Sequence, residues 1–360
     1  MTFEEARAAF PVLERLAYLN AGTNGPLARA TAETMVAQTL VDLAEGRAGA
    51  GYYARTRELR ERVRGKLAGL IGVPAENVAV TTSTTSGCNI VLAGLSLGSD
   101  TEVVTTDEEH FGLLGPLHAS GARVRVAATR GVEPARALDR LLGEVGPRTR
   151  LLALSHVSWV TGNVLPIAEL RERTGLPLLV DGAQSGGAIE VDATPYDYYT
   201  VSAQKWPCGP DSTGALYVRD PGSLRVSAPS HLSQTGYGPD GAFEPKPGAA
   251  RFDQGPIGAT LLAGLEAALD AAPGWRFERA RETAARCRAL LSERYEVVTP
   301  PGQATLVSFV PAGDPAEVVQ RLAERGIVVR EIPGSGLVRV SCGYWTSDDD
   351  LERLLVGLAA

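Results

Sequence analysis

Of the 35 lysine and arginine residues in this 360-residue chain, only three are lysines: Lys66, Lys205 and Lys246. Lys205 lies in a stretch poor in charge, beside Trp206 and Pro207. Arginine supplies charge and hydrogen bonds at least as well as lysine, but it cannot readily lose a proton to become a nucleophilic amine. A lysine kept in such a setting points to amine chemistry, such as a Schiff base with a carbonyl. Taken alone, Lys205 reads as readily as an exposed loop residue. The residues before it change the balance. LPLLVD at 176–181 has the composition of a buried parallel strand with Asp181 at its carboxyl end, and Gln184 follows three residues later. A second run, YYTVSAQK, puts Ser202, Gln204 and Lys205 at the end of the next strand. Ligands of open α/β sheets bind at those ends.

A carboxylate on one strand end and a lysine on its neighbour form the pair that pyridoxal 5'-phosphate (PLP) requires. The acid keeps the pyridine nitrogen protonated and the lysine holds the aldehyde carbon. VAVTTSTTSGCNIVLAGL at 78–95 reads as a strand, a hydroxyl-rich turn and a helix. Free N–H groups and hydroxyls at a helix N-terminus suit a phosphate, and Thr84 or Thr85 as a plain N-cap is the competing reading. No Walker glycine–lysine pattern accompanies it. His110 follows the strand and acidic turn of TEVVTTDEEHF, and a histidine of ordinary pKa titrates near neutrality. Arg339 sits mid-strand between Val338 and Val340. An arginine so placed pairs with an anion, either a protein carboxylate in a buried salt bridge or a ligand carboxylate gripped by its planar fork. YLNAGTNGPL at 18–27 is a turn rich in glycine and asparagine.

These residues need a scaffold, and the chain has room for two domains with ample core. Its 44% hydrophobic and 21% charged content is ordinary for a globular protein. A net charge of −7 and a pI near 5.3 argue against a nucleic-acid partner. Cys88, Cys208, Cys287 and Cys342 are scattered without metal-site or disulfide spacing, so no metal is expected. The N-terminus is acidic and amphipathic, unlike a signal peptide. No apolar run reaches the roughly 20 residues that span a membrane, so a cytoplasmic location is expected. Helices are expected over 2–16, 28–47, 54–71, 133–144 and 259–271, with an arginine-rich amphipathic helix over 276–295. Residues 221–250, rich in Gly, Pro and Ser, read as a long loop. TLVSFV, GIVVRE and LVRVS are further strands, with helices around 315–325 and 347–358.

The ordered pattern D-x-A-Q-S, then S-x-Q-K, resembles the class V branch of fold-type I PLP enzymes. That branch includes cysteine desulfurases, isopenicillin N epimerase-like proteins and C–S lyases. The resemblance implies an α/β fold in which a mainly parallel seven-stranded sheet is flanked by helices, with a smaller α+β domain. The large domain would cover 17–258, and residues 1–16 and 259–360 would form the small one. It implies a homodimer with active sites near the interface. Residue by residue, it implies that Lys205 carries PLP, Asp181 faces the ring nitrogen, His110 stacks on the ring and shuttles protons, and Thr84 and Thr85 hold the phosphate. Gln184, Ser202 and Gln204 join the cofactor contacts. Arg339 binds the α-carboxylate of an amino-acid substrate, and Asn20, Ala21 and Gly22 line the mouth of the site. Trp159 stands where the family often has asparagine near the phenolic oxygen, so it either walls the substrate pocket or simply packs. RFDQGPIG resembles the R-F-E-x-G-T segment that reaches the partner's phosphate. The threonine is Pro256 here, which leaves the backbone N–H of Gly255 or Ile257 for that contact.

Within the branch, a desulfurase carries a mobile cysteine in the loop before the carboxylate-binding arginine. Here that loop is REIPGSGLV and has none, and Cys342 follows Arg339 on the strand. TSGCNIVLAGL, SHVSWVTGNVLPI and CGYWTSDDDLERLL look most like the L-cysteine/cystine C–S lyase subgroup. The implied reaction is β-elimination with Lys205 as base, giving pyruvate, ammonia and a thiol or persulfide. An aminotransferase, an epimerase using His110 or a tyrosine as a second acid–base group, and a non-catalytic PLP- or amino-acid-binding relative are the alternatives. A dinucleotide-binding fold is disfavoured because no G-x-G-x-x-G follows the early strands.

Overall fold

The computed structural model describes residues 1–359. Its largest sheet grows from short runs dense in Val, Leu, Ala and Thr, buried on both faces apart from Arg150 and the edge strand Arg123–Ala127, where Arg123 and Val126 are exposed. Seven strands lie in the order Val78–Thr81, Gly214–Val218, Tyr198–Ser202, Leu178–Asp181, Thr149–Ser155, Glu102–Thr106, Arg123–Ala127. Only Gly214–Val218 runs against the others. Alternation along each strand divides the core in two. Leu152, Leu154, Leu178, Val180, Tyr199 and Val201 face one helical layer, whereas Leu151, Ala153, Leu179, Tyr198 and Leu216 face the other. In register, Ser155 lies beside Asp181 and Asp181 beside Thr200, so three carboxyl ends meet along one sheet edge.

The helix Thr84–Gly94 lies directly on this sheet. Gly87 permits the approach, since a Cβ there would lie 2.6 Å from Thr200 Cγ2. The helix is capped by Ser83, whose hydroxyl accepts from Ser86 N–H. The competing reading of Thr84 or Thr85 as the N-cap is therefore not what the helix adopts.

A second, antiparallel sheet follows the order Glu296–Val297, Leu306–Val310, Leu337–Ser341, Arg330–Ile332. The helices Arg276–Ser292, Pro315–Glu324 and Asp348–Ala359 complete this unit. The GIVVRE run divides in two: Ile327–Val328 pairs in parallel with Ala17–Tyr18, and Arg330–Ile332 pairs with Leu337–Ser341. Ala17 and Leu19 therefore bury into the C-terminal core. We retain 17–258 against 1–16 with 259–360 as a proposed division, with residues 17–19 packing across it. The 221–250 loop carries a short hairpin, Gln234–Tyr237 with Phe243–Pro245. No helix among the described residues is long and apolar enough to cross a membrane.

A buried ion pair fastens the segment before the helix Ala259–Ala271 to the sheet edge. Arg64 Nη2 lies 2.8 Å from Asp253 Oδ2, and Asp253 Oδ1 accepts Val80 N–H at 2.9 Å. Removing one partner of such a pair strands the other's charge. Asp253→Asn is expected to lower unfolding stability by roughly 3 kcal/mol, read as a fall in the urea midpoint at unchanged slope.

Candidate active site

Lys205 stands in a turn just past the strand Tyr198–Ser202, one strand from Asp181. The N-terminal loop closes over it. Gly25 N–H donates to Gln204 O at 2.8 Å, and any side chain at Gly25 would strike the Lys205 carbonyl, 2.2 Å from an added Cβ. Gln184 ties the two segments together: its Oε1 accepts Trp206 Nε1–H at 3.1 Å and its Nε2 donates to Gly22 O at 2.8 Å.

Burial lowers the Lys205 pKa to about 8, with Arg339 and Arg330 pushing the same way and Asp181 opposing. Burial raises the Asp181 carboxyl, while Lys205 and the Ala183 N–H hold it down. The two make no direct ion pair among the described residues, yet each acts on the other across the gap. Nearby, Thr84 N–H and Oγ1 both lie 3.1 Å from Ser202 Oγ. Thr85 Oγ1 lies beside Gly112, 2.5 Å from where a Cβ would sit. Gln204 Oε1 is buried without a partner. A helix N-terminus bearing Thr84 and Thr85, a buried acid and a depressed amine make up a donor set that would fit PLP.

Arg339 is fully buried. Its Nη1 donates to Trp159 O at 2.9 Å, and its Nε and Nη2 have no partner. No protein carboxylate pairs with it among the described residues, so the buried salt bridge considered from the sequence is absent. Burial first, then Arg330, lowers its pKa to about 9. Ser341 Oγ is likewise buried and unpaired. Gly22 abuts this group: a Cβ there would lie 2.7 Å from Arg339 Nη2 and 3.0 Å from Ser341 Oγ. Asn20 Oδ1 accepts from Thr23 Oγ1, and Asn20 bridges to Ser341. Ala21 departs from the expectation of substrate contact, because its methyl is fully buried in the cluster with Phe10, Leu13 and Trp345. Gly22 holds the place beside the arginine.

Trp159 is buried with an unpaired indole N–H and meets His110 edge-on, 4.8 Å between centroids at 85°. His110 departs from the expected near-neutral proton shuttle. Burial, then Lys205, Arg330 and Arg339, lower its pKa to about 4. Its Nδ1 is already engaged, accepting Gly112 N–H at 3.0 Å as the N-cap of the helix Phe111–Ala119.

Two residues escaped the sequence reading. Arg330 pairs in register with Arg339 across the hairpin, donates to Thr23 Oγ1 at 3.1 Å and lies 5.8 Å from the Trp159 ring. Its only signal was an arginine opening the strand before the REIPGSGLV turn. Glu109 accepts from Thr106 Oγ1 at 2.7 Å and from Ser155 Oγ at 2.6 Å, beside the Asp181 strand. Burial raises it to about 7, and the Asp181 charge adds to the rise. It reads in sequence as part of an acidic turn. Cys342 faces the C-terminal core and is fully buried.

Fold and site together define a fold-type I PLP enzyme. Residues 20–354 match the family described as Aminotransferase class-V, and the chain belongs to that PLP-dependent family. It is 29% identical to an isopenicillin N epimerase of Streptomyces clavuligerus, over 99% of this chain and 98% of that one. It is 32% identical to a probable cysteine desulfurase of Pseudomonas aeruginosa, covering 80% and 78%. Among solved structures, the cystine C–S lyase C-DES in complex with its product cysteine persulfide superposes with a TM-score of 0.88 at 29% identity, covering 97% of this chain and 99% of that one. A C-DES mutant with glycine covalently linked to its PLP cofactor gives 0.89 at 28% identity, with 98% of each chain covered.

Two outcomes test this geometry. Gly22→Ala pushes on the movable tip of Arg339, so it should raise substrate KM about tenfold or more while leaving the thermal midpoint near that of the wild type. Aldehyde labelling of Lys205 in the apoprotein, fixed with borohydride, needs the neutral amine. Its rate should rise through a midpoint near pH 8 instead of 10.5. Arg330→Ala removes a like charge and should move that midpoint upward.

Proposed function

We propose that this protein is a PLP-dependent C–S lyase that carries out β-elimination on L-cystine or a closely related sulfur-substituted amino acid, releasing pyruvate, ammonia and a persulfide or thiol. The observation that carries the reading is the pair of arginines without carboxylate partners. Arg339 and Arg330 are register neighbours on the antiparallel hairpin, close enough for Arg330 to lower the Arg339 pKa. Bringing two guanidiniums together costs energy unless anions fill the space between them. L-Cystine carries two α-carboxylates, one for each fork.

When bound, PLP withdraws electrons from Cα of the amino acid it holds and so acidifies the Cα–H. Asp181 keeps the ring nitrogen protonated. Thr84, Thr85, Ser202 and Gln204 hold the phosphate end, and Gln184 braces Lys205 through Trp206. His110, with Trp159 edge-on to it, would flank the bound cofactor. Arg339 grips the α-carboxylate and fixes which bond at Cα faces Lys205. Lys205 takes the Cα proton at Nζ; its lowered pKa leaves a larger fraction of the free amine unprotonated near neutral pH than an ordinary lysine would have. The electron pair of the broken C–S bond departs on sulfur, which needs little help from an acid because a persulfide anion is stable near neutrality.

The turn Pro333–Gly336 between the two arginine-bearing strands contains no cysteine, which weighs against desulfuration through a protein persulfide. An epimerase needs a second acid–base group on the far side of Cα, and a neutral His110 with Nδ1 engaged is poorly suited to it. We further propose a homodimer with the site near its interface. On the helix Arg29–Glu45, Val36, Leu40 and Leu43 are 60%, 56% and 80% exposed, more apolar surface than one solvated helix usually carries.

The test is pyruvate release from L-cystine by the purified holoprotein. Lys205→Ala should abolish it together with the borohydride-fixable absorbance. Arg330→Ala should raise KM for L-cystine about tenfold, a loss near 1.4 kcal/mol, while barely changing KM for β-chloro-L-alanine, which has one carboxylate. Amine transfer to keto acids without pyruvate would favour an aminotransferase, and inversion at Cα with the β-substituent retained would favour an epimerase.

A further inference from the structure

We propose that His110 is a fixed hydrogen-bond donor, locked as the neutral Nε2–H imidazole, and keeps that proton throughout the reaction instead of exchanging it as an acid or base. The inference rests on the site assignment above but not on which sulfur compound is cleaved.

The argument starts from the cap. Gly112 N–H donates to His110 Nδ1 at 3.0 Å, so Nδ1 must present a lone pair. A neutral imidazole has one donor and one acceptor nitrogen, and the proton therefore resides on Nε2. A second proton could go only onto Nδ1. That would set two donors against each other and orphan an N–H in the first turn of the helix Phe111–Ala119.

The ring cannot easily turn away from this arrangement. Trp159 stands edge-on to it at 4.8 Å between centroids, Phe111 lies 3.9 Å away, and the two flanking rings also meet each other at 6.3 Å. At Gly112 a Cβ would lie 3.0 Å from Nδ1 and 2.5 Å from Thr85 Oγ1, so the helix passes as close as a backbone can.

The surrounding charges act the same way. Lys205, Arg330 and Arg339, from three neighbouring segments, all oppose a positive imidazole. The acids preceding His110 are engaged elsewhere. Asp107 accepts from Thr129 and Arg130, Glu108 from Thr161, and Glu109 from Thr106 and Ser155. Neither these acids nor Asp181 figures among the charges acting on the ring, although Glu108 Oε1 is itself unpartnered. His110 can thus steady negative charge beside it through Nε2–H, while Lys205 remains the single base at Cα.

The test is long-range 1H–15N correlation of the histidine rings in 15N-labelled protein, with and without PLP. Four histidines are present, and His110→Asn assigns the signal while an asparagine oxygen keeps the cap. The expected result is a bare Nδ1 and a protonated Nε2 for His110, unchanged between about pH 5.5 and about pH 9 in both forms. A proton on Nδ1, or an imidazolium forming with a midpoint inside that range in either form, would overturn the proposal. The spectrum needs no substrate, so a failed cystine assay and a failed tautomer assignment are separate results. His110→Ala should lower the thermal midpoint further than His110→Asn; equal losses would contradict the capping argument.

Discussion

Three basic side chains lie near one another, and the structure gives them too little negative charge. Lys205, Arg330 and Arg339 act on one another, with Asp181 as the acid that opposes the drop at Lys205. Burial first, and then the neighbouring cations, push one way: the amine falls to about 8, the buried guanidinium to about 9 and the nearby imidazole to about 4. A protein tolerates such a concentration of like charge where a ligand completes it. The cofactor's phosphate and the substrate's carboxylates are the anions that would do so. The same field keeps Lys205 partly neutral, and a neutral amine is what a base at Cα must be.

The fold maintains this arrangement from three directions. The parallel strands set Asp181 beside Ser155 and Thr200, within one strand of the Lys205 turn. The antiparallel hairpin sets Arg330 opposite Arg339 by register alone. The N-terminal segment joins the two: Ala17–Tyr18 pairs with the C-terminal unit, then Gly22 and Gly25 press against Arg339 and the Lys205 carbonyl. Gln184 completes the tie between Trp206 and Gly22. Changes in the N-terminal loop thus reach both the amine and the carboxylate grip without touching either residue's chemistry.

The parts legible in the sequence were those whose type and local setting were themselves unusual. A rare lysine, an acid ending an apolar run and an arginine inside a strand announced Lys205, Asp181 and Arg339. The seven-stranded sheet followed from the same strand patterns together with the family resemblance. What stayed hidden depended on tertiary placement. Arg330 matters because hairpin register puts it against Arg339, and no local pattern encodes register. Glu109 looked like one acid in an acidic turn, and only its burial against Ser155 gives it meaning. Ser83 took the cap because a run of hydroxyls offers several candidate frames. Of Asn20, Ala21 and Gly22, which one meets Arg339 is set by how an irregular loop packs, and it is Gly22. The low basicity of His110 is not legible locally, since it comes first from burial and then from cations distant in sequence.

The most direct test is a crystal structure of the Lys205→Ala protein with PLP and L-cystine. The account predicts one cystine carboxylate in the fork of Arg339 and the other on Arg330. A distal carboxylate pointing to solvent, with Arg330 paired to a protein acid, would contradict it.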